Sequence, residues 1–278
     1  MNFADKLSAA SSKNRSLLCI GLDPDPELMP EVGLLQFNKA IIDATADLVC
    51  AYKPNLAFYE AQGIEGLSAL KQTVDYIPDM IPVIADGKRG DVGNTARAYA
   101  QALFVTFGFD AATVSPYLGY DSIAPFIDYA DKGVFLLCRT SNEGALDFQS
   151  LACIESSSRG RPGEPIPLFQ VVAQKAKEWN LRGNIGLVVG ATYPQELRRI
   201  RQLCPEMMLL IPGIGAQGGD LASATRYGTD ERGERAIISS SRQILYASRG
   251  KDFALAARHA AQALRDQINH HLSAPRAP

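Results

Sequence analysis

Three charged residues at positions 86, 88 and 91 spell D-x-K-x-x-D, directly after the apolar run I-P-V-I-A at 81–85. On an extended segment, residues two apart point the same way, so Asp86 and Lys88 can pair. The apolar lead-in carries that pair toward a core rather than a solvated turn. A lysine held between carboxylates keeps its proton, because each negative charge favours the charged form. Such a lysine suits proton donation to, or electrostatic stabilisation of, a carbanionic intermediate. Imine chemistry needs a lysine that loses its proton easily. Asp86, Lys88 and Asp91 are therefore the first catalytic candidates. Lys53, in the polar-ended run A-Y-K-P-N, joins them.

A second cluster lies at 213–218, which reads G-I-G-A-Q-G. This matches the dinucleotide pattern G-x-G-x-x-G in form only. That pattern follows the first strand of its unit and needs an acidic residue ending the next strand. Here the next strand-like run ends in Ser241-Arg242. In a barrel the loops after the seventh and eighth strands are a recurring phosphate site. Backbone N–H groups at Gly213 and Gly215, the Gln217 amide and the Arg242 guanidinium suit that use. The nucleotide P-loop, the G-x-S-x-G elbow and the H-E-x-x-H zinc pattern are missing from the sequence. Its three histidines, 259, 270 and 271, all fall in the last stretch, which argues against histidine catalysis or a histidine-bound metal.

These residues need a frame that brings them together. Eight short apolar runs, at 16–23, 51–58, 82–89, 111–116, 133–140, 185–191, 208–214 and 236–242, alternate with helix-periodic stretches. Several are apolar throughout, as parallel strands buried on both faces must be. Eight strand–helix units predict an α/β fold, a (β/α)8 barrel, over residues 1–278 as one domain. A doubly wound sheet is the alternative. In a barrel the polar strand ends converge on one face: Asp23, Lys53, Asp86, Ser141, Gly213 and Arg242 all belong to such ends. The Ser-, Arg-, Gly- and Pro-rich stretch 156–167 reads as a surface insertion, and 273–278 as a disordered tail.

Composition narrows the class. Lysine plus arginine number 28 against 30 aspartate plus glutamate, a net charge of −2, which leaves no footprint for nucleic-acid binding. No run approaches the ~20 apolar residues of a membrane span. The five cysteines are scattered, with none in C-x-x-C spacing, which fits a reducing cytoplasm.

The string A-D-G-K-R-G-D-V-G-N-T at 85–95 resembles the signature of the orotidine 5′-phosphate decarboxylase family. G-L-D at 21–23, Y-K-P-N-L-A-F-Y-E at 52–60, T-S-N-E-G-A at 140–145, P-G-I-G-A-Q-G-G-D at 212–220 and S-S-S-R-Q-I-L-Y-A at 239–247 extend the resemblance over nearly the whole chain, toward the longer bacterial branch. The D-x-K-x-x-D core is shared with relatives acting on sugar phosphates; the extension K-R-G-D-V-x-x-T is more specific. The resemblance implies conversion of orotidine 5′-phosphate to UMP and CO2 without metal or cofactor. It implies that Asp23 contacts the ribose, and that Lys53, Asp86, Lys88 and Asp91 form a charged network at the reacting carbon. Ser141 would meet the pyrimidine edge, and Gln217 and Arg242 the phosphate. It further implies a homodimer in which Asp91, with Val92 and Thr95, enters the partner's site. Ser241 departs from the shorter branch, where glycine often precedes the phosphate arginine. A Mg2+-dependent sugar-phosphate enzyme, a Schiff-base aldolase and an inactive phosphate-ligand binder are the competing readings.

Overall fold

The computed structural model describes residues 1–154, 164–215 and 218–274. Eight parallel strands form one sheet: β1 Leu18–Leu22, β2 Ala51–Pro54, β3 Ile84–Arg89, β4 Ala111–Val114, β5 Gly133–Arg139, β6 Ile185–Val189, β7 Met208–Ile211 and β8 Ala236–Ser240. Their order runs β2-β1-β8-β7-β6-β5-β4-β3. Parallel bridges Tyr52↔Val83 and Asn55↔Asp86 join the two end strands, so the sheet curls into a nearly closed (β/α)8 barrel. All eight apolar runs supply a strand. Most strands stop short of the polar residues that end each run, because those residues leave the ladder to line the mouth.

The run at 51–58 is the clearest difference from expectation. The strand stops at Pro54, and Leu56–Glu60 turn into a short helix. Asn55 starts that helix, its side-chain oxygen accepting the Ala57 N–H at 3.2 Å. Residues 156–163 of the expected insertion lie outside the described residues; Ile166–Pro167 pair antiparallel with Ala152–Cys153. Ser273 is the last residue of the helix Phe253–Ser273 rather than the start of a loose tail, and 275–278 lie outside the described residues. The three histidines sit on that helix. Among the described residues no helix is long and apolar enough to cross a membrane.

Alternation along the strands sorts the side chains into two cores. One set packs outward against the helices, among them Leu18, Ile20, Tyr52, Val134, Leu187 and Ile238. The other fills the barrel: Cys19, Ala51, Ile84, Ala111, Phe135, Val188, Leu210 and Ile237, one from each strand. The bottom is closed by a helix the sequence reading did not anticipate, Phe3–Asn14. Its Phe3 ring packs edge-on to Phe135, with centroids 5.7 Å apart. The ring occupies the space a side chain at Gly133 would need. Lys6 pins the helix through Asp110 at 2.8 Å, and Asp110 also accepts the Val83 N–H at 2.9 Å.

Phe3→Ala should lower the free energy of unfolding by about 3 kcal/mol, because it removes an aromatic plug and leaves a void. Urea denaturation checks this; a loss near zero would mean that the ring does not seal the barrel.

Candidate active site

At the upper edge of the apolar filling, the interior changes character around its circumference. Lys53, Asp86 and Thr113 stand two residues beyond Ala51, Ile84 and Ala111 on β2, β3 and β4, and Ser239 stands two beyond Ile237 on β8. Opposite them β5 presents Leu137, two residues beyond Phe135, and on β6 and β7 the filling residues Val188 and Leu210 themselves reach the cavity. These side chains floor a cavity of about 730 Å3 at the carboxyl ends of the strands. One half of the floor is charged and polar, and the other is apolar.

Asp86 is the centre of the charged half. Its Oδ2 accepts from Lys53 Nζ at 2.6 Å and its Oδ1 from Lys88 Nζ at 2.6 Å. The Lys53 side chain is 6% exposed and that of Asp86 12%, whereas Lys88 is 49% exposed and reaches into the open cavity. Burial alone would push the Asp86 carboxyl up, but the two ammonium groups outweigh it and hold it well below the usual carboxylate range. Burial likewise favours neutral Lys53, and the charges of Asp86 and Asp23 override it, so its pKa is raised. Lys53 is thus a fixed cation and a poor imine-forming nucleophile. Beneath it, burial pushes the Cys19 thiol up to about 12, leaving no competing anion in the floor.

The backbone delivering Lys88 is unusual. Pairing between β3 and β4 slips between Ala85 and Arg89, and Lys88 adopts a left-handed φ of 45°. That conformation costs a non-glycine residue on the order of 1 kcal/mol. Such strain persists only where the surroundings impose it.

The rim carries the remaining candidates. Asp23 lines the cavity, and its buried Oδ1 has no hydrogen-bond partner among the described residues. Ser141, Gly213 and Arg242 line it too. Gly213 and Gly215 have φ of 101° and 86°, left-handed values that favour glycine. Gln217 lies outside the described residues. Ser241 has φ −126°, so its position does not require glycine, and its hydroxyl fits because Gly21 has no side chain to meet it. Asp91, Val92 and Thr95 are not brought to the cavity of their own chain. They lie at the start of the helix Gly93–Gln101, with Val92 and Thr95 exposed, and Asp91 accepts the N–H of Val92 at 2.7 Å.

Among the lining residues missed by sequence reasoning, three make hydrogen bonds that hold the site together. Thr113 contacts Asp86 and the Lys88 backbone. Tyr246 donates to the Asp23 carbonyl at 2.6 Å and accepts the Asp25 N–H at 2.7 Å, tying the loop after β1 to the segment after β8. Gln149 holds the start of the Ser141 loop through the Thr140 N–H at 2.8 Å. Thr113 had one sequence signal, a hydroxyl in the otherwise apolar A-A-T-V. Among the described residues no group of three His, Cys, Asp or Glu side chains could hold a metal ion.

A family model described as Orotidine 5′-phosphate decarboxylase / HUMPS family matches residues 16–257. The chain belongs to that family. A curated orotidine 5′-phosphate decarboxylase of Dehalococcoides mccartyi is 54% identical over 273 residues, 98% of each chain. Relatives of this kind place the chain on the decarboxylase side of the family. Among solved structures, the Leishmania donovani OMP decarboxylase superposes with a TM-score of 0.84 at 39% identity, covering 99% of this chain and 100% of that one. The UMP synthase of the same organism gives 0.87 at 41% identity, with all of this chain matching 58% of that longer one.

Lys53→Met should cost about 3 kcal/mol of stability at pH 7, because it strips a buried carboxylate of one partner. The sign follows from Asp86. Its pKa is depressed in the fold, so its ion pairs stabilise above the ordinary value of 3.8 and that contribution is lost as pH falls through the lower, folded value. In the variant the carboxyl, left with Lys88 as its one cationic partner, protonates more readily, so its deficit against wild type should narrow in acid. Denaturation at pH 7 and pH 3 checks this; a deficit that widens in acid contradicts it.

Proposed function

We propose that this chain decarboxylates orotidine 5′-phosphate to UMP and CO2, with no metal or cofactor, as a cytoplasmic enzyme of UMP biosynthesis. The observation that carries the reading is the Lys53–Asp86–Lys88 array, flooring a cavity whose rim holds Arg242 and the left-handed Gly213. Family membership and full-length similarity to named decarboxylases support the same substrate.

In this scheme Arg242, Gln217 and the backbone at Gly213 and Gly215 bind the phosphate, Asp23 the ribose and Ser141 the pyrimidine edge. The C6–carboxylate bond breaks, CO2 leaves, and the electron pair stays on C6, where the ring delocalises it poorly. The Lys88 ammonium, fixed by Asp86, stabilises that charge without reorganisation. It then transfers a proton from Nζ to C6 and is reprotonated from solvent. Asp86 supplies the fixed negative charge that orients both lysines. Phosphate contacts far from C6 provide binding energy that can order the reacting centre.

The exposed Val92 and Thr95 and the half-buried Asp91 lie away from their own chain's cavity, which supports their use in trans, in a homodimer where each chain completes its partner's site. No nucleic acid or membrane takes part.

Wild-type protein should consume orotidine 5′-phosphate in excess EDTA, followed by its absorbance, and Lys88→Ala should lose nearly all turnover while keeping the fold. Mixing Lys88→Ala with Asp91→Ala after demonstrated subunit exchange should restore activity through hybrid sites. Complete loss on chelation would favour a metal-dependent sugar-phosphate reaction instead. A Lys88→Ala enzyme close to wild type, or exchange without recovery, would remove the roles given to Lys88 and Asp91.

A further inference from the structure

We propose that Thr113 is a positioning residue for the reaction: its hydroxyl sets the geometry of the Asp86–Lys88 pair by gripping both the carboxylate and the backbone that carries the lysine. The inference rests on the decarboxylase reading and adds to it a residue that touches neither end of the scheme above.

The hydroxyl sits at a junction. Thr113 is 1% exposed, near the end of β4, facing into the barrel beside Asp86. Its Oγ accepts the Lys88 N–H at 3.0 Å. It lies 3.1 Å from Asp86 Oδ1 and 3.5 Å from the Ala85 carbonyl. A hydroxyl has one proton to give. The shorter distance and the negative charge direct that proton to Asp86, since hydrogen bonds to ionised acceptors are the stronger ones. Asp86 Oδ1 then accepts from two donors, Thr113 and Lys88 Nζ, and Oδ2 accepts from Lys53.

The backbone contact matters as much. Where β3 slips against β4, the Lys88 N–H leaves the strand ladder, and Lys88 takes its left-handed φ. A buried N–H without an acceptor is costly, so the Thr113 oxygen is what makes this turn of the chain tolerable. The same oxygen therefore fixes the carboxylate and the point from which the lysine side chain departs. Valine has the same shape but can neither accept nor donate here. With valine at 113 the Lys88 N–H has no partner, the local backbone relaxes toward an ordinary strand, and Nζ moves away from its aim at the substrate carbon. Misplacement of about 1 Å at a reacting centre can cost about a hundredfold in rate.

The test uses three variants of the full chain: Thr113→Val, Thr113→Ala and Thr113→Ser. Alanine and serine both lack the methyl group and differ only in the hydroxyl, so their comparison stands even if valine disturbs folding. Turnover should fall about 10- to 100-fold in valine and alanine variants with KM changed less than about threefold, and serine should restore most of kcat. Hydrogen exchange at the Lys88 amide gives a readout independent of activity. That amide should be protected in wild type and in Thr113→Ser, and should exchange at least about tenfold faster in the other two. Equal turnover in alanine and serine variants, alongside an inactive Lys88→Ala, would overturn this inference and leave the decarboxylase reading standing. If wild type fails to act on orotidine 5′-phosphate, that reading falls. The exchange rates then decide the Thr113 contact alone: protection that is the same in all four proteins overturns it.

Discussion

A carboxylate buried between two ammonium groups is the interaction on which this molecule is organised. Removing Asp86 from water is unfavourable unless opposite charge and hydrogen bonds compensate it. Both oxygens are accounted for, Oδ2 by Lys53 and Oδ1 by Lys88 and Thr113. The two lysines differ in what they are free to do. Lys53 is enclosed and serves as a fixed cation, whereas Lys88 hangs half in the cavity, held at its tip by the same carboxylate. A lysine held in this way is aimed before any ligand arrives, which is what electrostatic preorganisation requires.

The barrel makes that arrangement affordable by dividing its interior. Below, eight small or apolar side chains and the Phe3 plug exclude water. Above, the floor is charged and polar on β2 and β3, with Thr113 of β4 and Ser239 of β8 beside them, while β5, β6 and β7 keep an apolar face. A planar ring laid across such a floor meets fixed charge along one edge and hydrocarbon along the other. Parallel pairing also brings the cavity-lining side chains to the carboxyl strand ends, so residues from 23 to 242 share one mouth.

The fold was legible in the sequence where each strand announces itself. Runs such as G-V-F-L-L-C-R or A-I-I-S-S are too apolar for one exposed face, and eight of them leave few architectures. Asp86 and Lys88 were legible because their spacing on a strand brings the side chains together. What escaped depends on tertiary contacts with no local signature. Phe3 belongs to a polar-looking N-terminal stretch, and only the missing side chain of Gly133 across the barrel makes room for its ring. Asn55 looked like a strand residue, and it caps a helix instead. Tyr246 is linked to Asp23 by a hydrogen bond spanning 223 positions, which no spacing rule detects.

The claim at the centre of this account is that the negative charge of Asp86, rather than its shape, holds the reacting lysine in place. Asp86→Asn keeps the shape and removes the charge. Measuring kcat/KM for orotidine 5′-phosphate with this variant, after establishing by circular dichroism that it is folded, tests the claim most directly. The account predicts a loss of at least about a thousandfold. A folded variant within about tenfold of wild type would contradict it.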